Sequence, residues 1–250
     1  MSTIQAVNPW LVGVFLNLGL GLLTWPILKK LLTPAGLLHA WALGVIVWGT
    51  LGWAGYAVIV FYFLAGSGVT KIGSAEKEAA GIAEKRSGAR GPENVWGSAL
   101  VGALCALSTL VVPESLHPLL VLGYVASLST KLSDTSASEI GKAYGRHTFL
   151  ITTLKPVPRG TEGAISAEGT VAGVVGSVAI ALLAWAVGLI SPLGIGFCIL
   201  AAFIATNFES LIGATLQHRF DWLTNELVNV INTLIGAIAA IGMGWVWTLF

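Results

Sequence analysis

Apolar residues occur along this chain in long runs that are separated by short polar segments. A run of about 20 apolar residues is long enough to cross the hydrocarbon core of a bilayer as a helix. Six such runs predict membrane-spanning helices at 9–28, 95–112, 116–132, 168–190, 192–209 and 228–249. A seventh run, 35–66, would be about 48 Å long as one helix, which is too long for one upright crossing and short for two. The apolar pattern alone leaves the number of crossings in 35–66 open.

The distribution of charge favours one solution for 35–66. The thirteen Lys and Arg residues lie between apolar runs, in 29–30, 71–90, 131–159 and at Arg219. Positive residues collect in cytoplasmic loops, and a hairpin at residues 49–52 would keep all thirteen on that side. Eleven of the twelve acids then share this face, with Glu114 as the exception. We therefore predict an all-α polytopic integral membrane protein, a single domain over 1–250 with about eight transmembrane helices and both termini non-cytoplasmic.

Composition supports the membrane interpretation and narrows the classes of partner. Hydrophobic residues make up 55% of the chain and charged residues 10%, against about 25% charged in soluble domains. The net charge of +1 does not favour a surface for nucleic acid. Cys105 and Cys198 lie inside apolar runs, so we interpret both as packing residues and not as a disulfide or metal site.

Three polar segments on the charged face, 67–94, 133–166 and 210–227, are the candidate functional loops. In the first, glycines flank cationic and amide side chains and permit close backbone approach, which is typical of an anion cradle; its candidates are Lys71, Arg86, Arg90 and Asn94. The alternative for this segment is a helix kept in water by its charges, and we assign Lys77, Glu78 and Lys85 to such a solvated face.

The second segment begins as a helix with Asp134, Ser138, Lys142 and Arg146 at four-residue intervals. A carboxylate at the mouth of a span, followed by basic residues on one helical side, suits a divalent cation held beside phosphates. The alternative is a basic loop attracted to anionic lipid, which needs positive charge but has no use for acids such as Glu139.

Further along the same segment, Arg159 and Glu162 occur in RGTEG. Arginine can bind phosphate oxygens in pairs, so this short sequence is a second candidate phosphate site.

The third segment connects the last two spans. Asp221, Asn225, Asn229 and Asn232 share one helical face near the membrane border, where polar groups are costly unless they meet other helices, water or ions. Amide-lined helix packing is one interpretation. Coordination of Mg²⁺ by mixed carboxylate and neutral oxygens, together with Glu209, is the other.

Long motifs carry a resemblance to a known family. The stretch 68–94, with GVTKIG and AEKRSGARGPENV, and the motifs LSDTSASEIGKAYGR and PRGTEGAIS resemble the membrane family first described as domain of unknown function 92. That family includes transmembrane protein 19 and the phytyl-phosphate kinases of tocopherol synthesis, and the resemblance covers nearly the whole chain. The order of acidic, basic and Thr-Glu-Gly residues is also similar to CTP-using lipid enzymes, namely dolichol and phytol kinases and CDP-diacylglycerol synthases.

The resemblance implies a prenyl-phosphate kinase that transfers the γ-phosphate of CTP, or of another nucleoside triphosphate, to phytyl phosphate. It implies Mg²⁺, an isoprenoid phosphate and membrane lipids as partners, and a cell inner membrane or a thylakoid or plastid membrane as location. It implies catalytic roles for Asp134, Arg159 and Glu162. Matched by position, the resemblance places Arg146, Lys155 and Arg159 at basic positions of the nucleotide loop and Glu209 and Asp221 near a metal site. Combined with the patterns of the three polar segments, this predicts the nucleotide and phosphate ligands Lys71, Arg86, Arg90, Asn94, Lys142, Arg146, Lys155 and Arg159. The predicted metal ligands are Asp134, Glu139, Glu209, Asp221 and Asn225, and the predicted acceptor ligands are Asn225, Asn229 and Asn232.

Three other functions stay open on the sequence. A kinase of free phytol or polyprenol would need a proton acceptor near the hydroxyl group. A cytidylyltransferase would form a CDP-lipid, although the chain has TNELVNVIN where the synthases have a His-Gly-Gly and Asp-Arg pattern. A lipid transporter would be expected to carry polar loops on both faces. A phosphate loop of the Walker type and a Rossmann fingerprint are both missing from the sequence.

Overall fold

A computed structural model describes residues 8–217 and 219–249, and this part of the chain is mainly helical. Prolines or hydroxyl side chains begin most of the long helices, which is where a missing N–H or a capping oxygen is favourable. The helices are α1 (Pro9–Leu23), α2 (Trp25–Leu31), α3 (Pro34–Lys71), α4 (Ser74–Ala79), α5 (Pro92–Ser108), α6 (His117–Tyr144), α7 (Ala167–Ala186), α8 (Pro192–Thr215) and α9 (Asn225–Trp247).

Apolar length identifies four of the described helices as able to cross a membrane. They are α3, α7, α8 and α9, and α1 with α2, which meet at an angle of 91°, would make a fifth crossing. The all-α membrane class predicted from the sequence is confirmed, but the predicted count of about eight crossings is not reached by this criterion. The difference arises because α5 has only 17 residues, α6 carries many polar side chains, and α3 is counted as one helix although it is interrupted at Gly52.

Helix α3 reverses direction at Gly52. This residue has φ 64° and ψ −158° inside an otherwise helical segment, a conformation open to glycine because it has no Cβ. Gly36, before the break, packs against the carbonyl of Arg90, and a Cβ at Gly66, after it, would lie 2.8 Å from Arg90 Nη2. A straight helix would separate those two glycines by about 45 Å. The two halves of α3 therefore run back along each other, in agreement with the predicted hairpin at 49–52.

Helix α6 is the centre of the bundle, with α3, α5, α7, α8 and α9 packed around it. Its middle turns are buried, including Tyr124, whose hydroxyl donates to the carbonyl of Gly55 at 2.7 Å. Small residues allow close approach of its neighbours: a Cβ at Gly176 of α7 would lie 3.0 Å from the carbonyl oxygen of Leu132. Other helices, and not lipid, surround α6, which explains how it can carry polar side chains.

The core also contains both cysteines. Cys105 of α5 and Cys198 of α8 are buried and have free thiols. The packing role predicted for them is confirmed.

The second polar segment contains the one pair of strands in the described ranges. Strands β1 (Thr148–Leu150) and β2 (Ala164–Ser166) are antiparallel, with Phe149 opposite Ile165. Residues 151–163 form the connection, and Leu150 N–H donates to the carbonyl of Lys155 at 3.0 Å. A small hairpin at the charged end of the helices thus supplements the predicted all-α architecture.

Candidate functional site

A cavity of about 450 Å³ opens at the charged ends of the helices. Its walls come from α3, α5, α6, α7, α8 and α9, from the segment before α5 and from the β-hairpin. Ten of the residues proposed from the sequence line it: Arg86, Arg90, Asn94, Asp134, Glu139, Lys142, Glu162, Glu209, Asn225 and Asn229. The structure therefore brings parts of all three predicted functional loops to one place.

The floor of the cavity consists of Lys131, Asp134 and Asn229. Lys131 Nζ donates to Asp134 Oδ2 at 2.6 Å and to Asn229 Oδ1 at 2.8 Å. The two charged residues are 7% and 6% exposed. They lie three positions apart on α6, so one face of that helix holds them together. The contact with Asn229 joins α6 to α9, and the floor is a buried ion pair held between two helices.

Arg90 forms one wall above the floor. Its Nη1 donates to the hydroxyl of Tyr62 at 3.3 Å, and its guanidinium carbon lies 5.5 Å and 5.8 Å from the ring centres of Tyr62 and Phe63. Its backbone N–H donates to the carbonyl of Leu31 at 2.9 Å, and its carbonyl accepts from the N–H of Thr33 at 3.0 Å. Contacts on both main chain and side chain hold the guanidinium at the cavity.

The rim of the cavity carries two exposed ion pairs, Arg86 with Glu93 and Lys142 with Glu84. Arg86 Nη2 contacts Glu93 and donates to Asn94 Oδ1 at 3.1 Å, while Lys142 Nζ lies 3.2 Å from Glu84 Oε1. Asn94 Oδ1 also accepts from the N–H of Gly91, so this asparagine caps the start of α5. Burial opposes ionisation of Glu84, but the charge and hydrogen bond of Lys142 outweigh it and hold the pKa of Glu84 below its ordinary value.

The solvated-helix interpretation is wrong for Lys77. This residue is 1% exposed, forms an ion pair with Glu139 of α6 and donates to the carbonyl of Thr70 at 2.7 Å. Helix α4 therefore packs against α6 through a buried charge, while Glu78 is exposed. Glu139, proposed as a metal ligand, is 3% exposed and already has Lys77 as its partner.

The β-hairpin connection and α8 provide the acidic side of the cavity. Gly163 has φ 75°, and a Cβ there would lie 2.6 Å from the carbonyl oxygen of Ser210 and 2.7 Å from the backbone nitrogen of Ala214. Only glycine satisfies both the backbone conformation and this close approach. The contact places Glu162 beside the last turns of α8, where Glu209 also lines the cavity.

The structure does not place six of the proposed site residues in the cavity wall: Lys71, Arg146, Lys155, Arg159, Asp221 and Asn232. Arg159 Nη1 donates instead to the carbonyl of Ala143 at 2.6 Å, near the end of α6, where a cation satisfies the free carbonyls. Asn232 is fully buried in α9. The other four are exposed: Lys71 ends α3, and the rest lie in connections between helices or strands.

Several lining residues were not proposed from the sequence. Lys131 had a detectable signal, since it lies one helical turn before Asp134. Tyr62 had none, because it lies within a long apolar run in which a single tyrosine is unremarkable. The remaining polar side chains of this group include Thr70, Glu84, Ser98, Thr206, Ser210 and Glu226.

The acids of the cavity do not form a ready-made metal cage. Within 8–217 and 219–249, His, Cys, Asp and Glu side chains form no group of three or more that could hold a metal ion. The lining contains six acids and four basic residues. A polyanionic ligand would therefore need a cation of its own as well as the basic side chains.

Comparison of the sequence with known proteins identifies the family. Residues 17–237 match the family described as Integral membrane protein DUF92. The chain belongs to this family. The membership predicted from the motifs is thereby confirmed, and the matched range contains every residue that lines the cavity.

Relatives occur in a cyanobacterium, a plant and an archaeon. An uncharacterized membrane protein of Synechocystis is 66% identical over 235 residues, covering 94% of this chain and 91% of the relative. The chloroplastic protein VTE6 of Arabidopsis thaliana is 45% identical over 248 residues, covering 97% and 74%. An uncharacterized membrane protein of Methanocaldococcus jannaschii is 30% identical over 214 residues, covering 85% and 86%. No solved structure matches the chain.

Proposed function

We propose that this protein is a prenyl-phosphate kinase that transfers the γ-phosphate of CTP, or of another nucleoside triphosphate, to phytyl phosphate. The observation that carries the proposal is the cavity, which combines the cations Arg86, Arg90, Lys131 and Lys142 with carboxylates at the end of a membrane helix bundle. Such a position suits an acceptor with a charged head and an apolar tail. The resemblance to phytyl-phosphate kinases and the relationship to a chloroplastic protein support this substrate class.

The chemistry requires positioning and charge neutralisation more than a strong base. An oxygen of the acceptor phosphate attacks the γ-phosphorus, and the bond from that phosphorus to the β–γ bridging oxygen breaks. The products are phytyl diphosphate and a nucleoside diphosphate. The attacking oxygen is already ionised at neutral pH, so no proton has to be removed. Fixed cations around both phosphates then lower the barrier by orientation and by electrostatic stabilisation.

The surroundings of each cationic side chain indicate its role toward the phosphates. Lys131 is buried and oriented by Asp134 and Asn229, so it offers a fixed charge at the floor. Arg90, held against aromatic rings, offers a planar donor for phosphate oxygens. Arg159 acts as a structural contact on α6 in this proposal and no longer as a phosphate ligand.

The donor atoms of the cavity fit Mg²⁺ that arrives with a nucleotide. Mg²⁺ is usually held by one or two carboxylates together with phosphates and water, and the surplus of acids over basic residues in the lining suits this arrangement. Glu209 would hold it together with Asp134 Oδ1, the carboxylate oxygen that does not accept from Lys131, and with Asn225 as a neutral donor. When bound, Mg²⁺ would neutralise charge on the triphosphate.

The topology belongs to the same proposal. Counting the two halves of α3 separately and adding α1, α5 and α6 to α7, α8 and α9 gives eight crossings, with the cavity on the cytoplasmic side. The wide occurrence of relatives in a cyanobacterium and a chloroplast is consistent with a thylakoid, plastid or cell inner membrane.

A nucleotide panel with phytyl phosphate tests the reaction. Purified protein in vesicles should convert phytyl phosphate to phytyl diphosphate with CTP, UTP, GTP or ATP, as followed by product mass. Lys142→Met should lower kcat/KM by about tenfold or more, whereas Lys155→Met, outside the cavity, should not. A CDP-lipid with pyrophosphate, or turnover of free phytol alone, would replace this proposal with one of the other enzyme classes. No product with any nucleotide would reject it.

A further inference from the structure

A second, smaller cavity of about 50 Å³ lies between α6, α7 and α8. It is continuous with the large cavity, because five residues line both: Ala137, Ile165, Thr170, Thr206 and Ser210. We call this second cavity the lateral groove. It also includes Gly173, Val174 and Ser177 of α7 and Phe203 of α8, which do not line the large cavity.

The hydroxyl groups of the lateral groove are largely occupied by their own helices. Thr170 Oγ1 donates to the carbonyl of Ser166 at 2.9 Å, Ser177 Oγ to that of Val174 at 2.8 Å, and Thr206 Oγ1 to that of Ala202 at 2.9 Å. The hydrogens of these three hydroxyl groups are therefore already used within the helices. Together with Gly173 and Phe203, these side chains present a mainly apolar wall.

The lateral groove leads from the polar cavity toward lipid. Thr170 and Ser177 are seven residues apart on α7, which corresponds to about 10 Å along the helix. Its outer edge includes Val174 and Phe203, which are 36% and 43% exposed. In a membrane protein such apolar edges face hydrocarbon.

Neighbouring helix contacts around the cavity are tighter. A Cβ at Gly97 of α5 would lie 3.2 Å from Glu226 of α9, and one at Gly173 of α7 would lie 3.0 Å from Ser133 of α6. The first distance leaves no space for an alkyl chain between α5 and α9 at Gly97, and the second makes Gly173 and Ser133 the closed α6 side of the lateral groove. The lateral groove follows the boundary between α7 and α8, where Val174 and Phe203 are partly exposed.

We propose that the lateral groove binds the first part of the acceptor's prenyl tail and guides the remainder into the bilayer between α7 and α8. This inference rests on the proposed function, because it assigns the tail of the acceptor whose phosphate enters the large cavity. The groove is too small to enclose a whole tail. It therefore contacts the isoprenoid carbons next to the phosphate, and the far end of the tail lies in lipid.

Two adjacent valines give a matched pair of variants. Val174 lines the groove, whereas Val175, 62% exposed on the same helix, lines neither cavity. Val174→Trp should lower the ratio of kcat/KM for phytyl phosphate to kcat/KM for methyl phosphate, which has no isoprenoid carbons, by about tenfold, the usual size of apolar pocket discrimination. Val175→Trp should leave this ratio unchanged. Equal ratios in both variants and the parent protein would overturn the assignment.

Photo-crosslinking tests the same site without turnover. A geranylgeranyl phosphate analogue with a diazirine on its first isoprene unit should label 170–177 or 203–210 of the unaltered protein, and excess geranylgeranyl phosphate should prevent this. Labelling that excess ligand does not prevent, or that occurs mainly on α1 or α3, would contradict the inference. If the nucleotide panel gave no product while competed labelling appeared in α7 and α8, the groove would stand and the kinase assignment would fail.

Discussion

The floor and the rim of the cavity both contain ion pairs, but their surroundings differ. At the floor, the side chains of Lys131 and Asp134 are each 9% exposed, and Lys131 also donates to Asn229. At the rim, those of Arg86 and Glu93 are 49% and 44% exposed. A buried charge that loses its partner is strongly destabilising, whereas an exposed pair contributes about 0–1 kcal/mol.

The difference in burial gives the floor and the rim of the cavity different roles. A phosphate can displace a rim partner at small cost, because water already solvates both charges. The floor, in contrast, holds its charge in place before any ligand arrives and avoids reorganisation during reaction. The comparison therefore predicts that substitutions at the floor affect both folding and activity, and that those at the rim affect mainly ligand binding.

The largest effect is expected from Lys131→Met. It leaves the Asp134 carboxylate buried without its cation, which should lower stability by about 3–5 kcal/mol and activity by about 100-fold. Thermal unfolding in detergent and the vesicle assay measure the two losses. The double variant K131M/D134N removes both charges and should recover most of the stability but none of the activity. Near-normal activity in Lys131→Met would contradict the role of the floor.

A smaller effect is expected from Lys77→Met. This variant tests whether the loss of stability depends on how deeply an ion pair is buried or on where in the molecule it lies. Its pair with Glu139 is as buried as the floor pair, yet it anchors a loop segment. We expect a loss of about 3 kcal/mol and faster hydrogen exchange in 72–84. Glu78→Gln, at an exposed position on the same helix, is the control and should exchange like the parent protein. Unchanged exchange in Lys77→Met would mean that α4 is held by other contacts.

Arg90→Lys should have a moderate effect on nucleotide binding. Lysine keeps the charge but loses the planar contact with Tyr62 and Phe63 and the paired donors, so KM for the nucleotide should rise by about tenfold. Arg86→Lys, at the exposed rim, should raise it less than about threefold. A larger effect at Arg86 than at Arg90 would contradict the greater importance that we assign to the wall than to the rim.

The smallest effect concerns Glu84. Lys142 lowers its pKa in the folded protein, so the pair stabilises fully above the unfolded pKa of about 4.3. That contribution is lost as pH falls through the lower folded value. The ion pair contributes less than about 1 kcal/mol to stability. Proteolysis of 72–91 should therefore increase only slightly below about pH 4. In Glu84→Gln this part of the pH dependence should disappear, and its persistence would assign the effect to another acid.

Much of the site was predictable because its groups repeat within single helices or short motifs. Asp134 and Lys142 follow a helical interval, and Glu162 lies in a short glycine-flanked motif. Residues such as Tyr62 were not predictable, because their role depends on which helix lies opposite. The small β-hairpin was also missed, since its three-residue strands are too short for a clear alternating pattern.

The sequence by itself determined the membrane class, the family and the reversal near Gly52. The membrane class follows from the free energy of transferring each apolar segment into lipid, and the reversal follows from the local backbone conformation at glycine. Both depend mainly on residues that are close together in the sequence. The tertiary structure decided which charges meet. Lys77 meets Glu139 across 62 positions and Lys131 meets Asn229 across 98, and such pairs depend on the packing of whole helices against α6. That packing turned a lysine interpreted as solvated into a buried anchor, and it directed Arg159 away from the cavity to the end of α6.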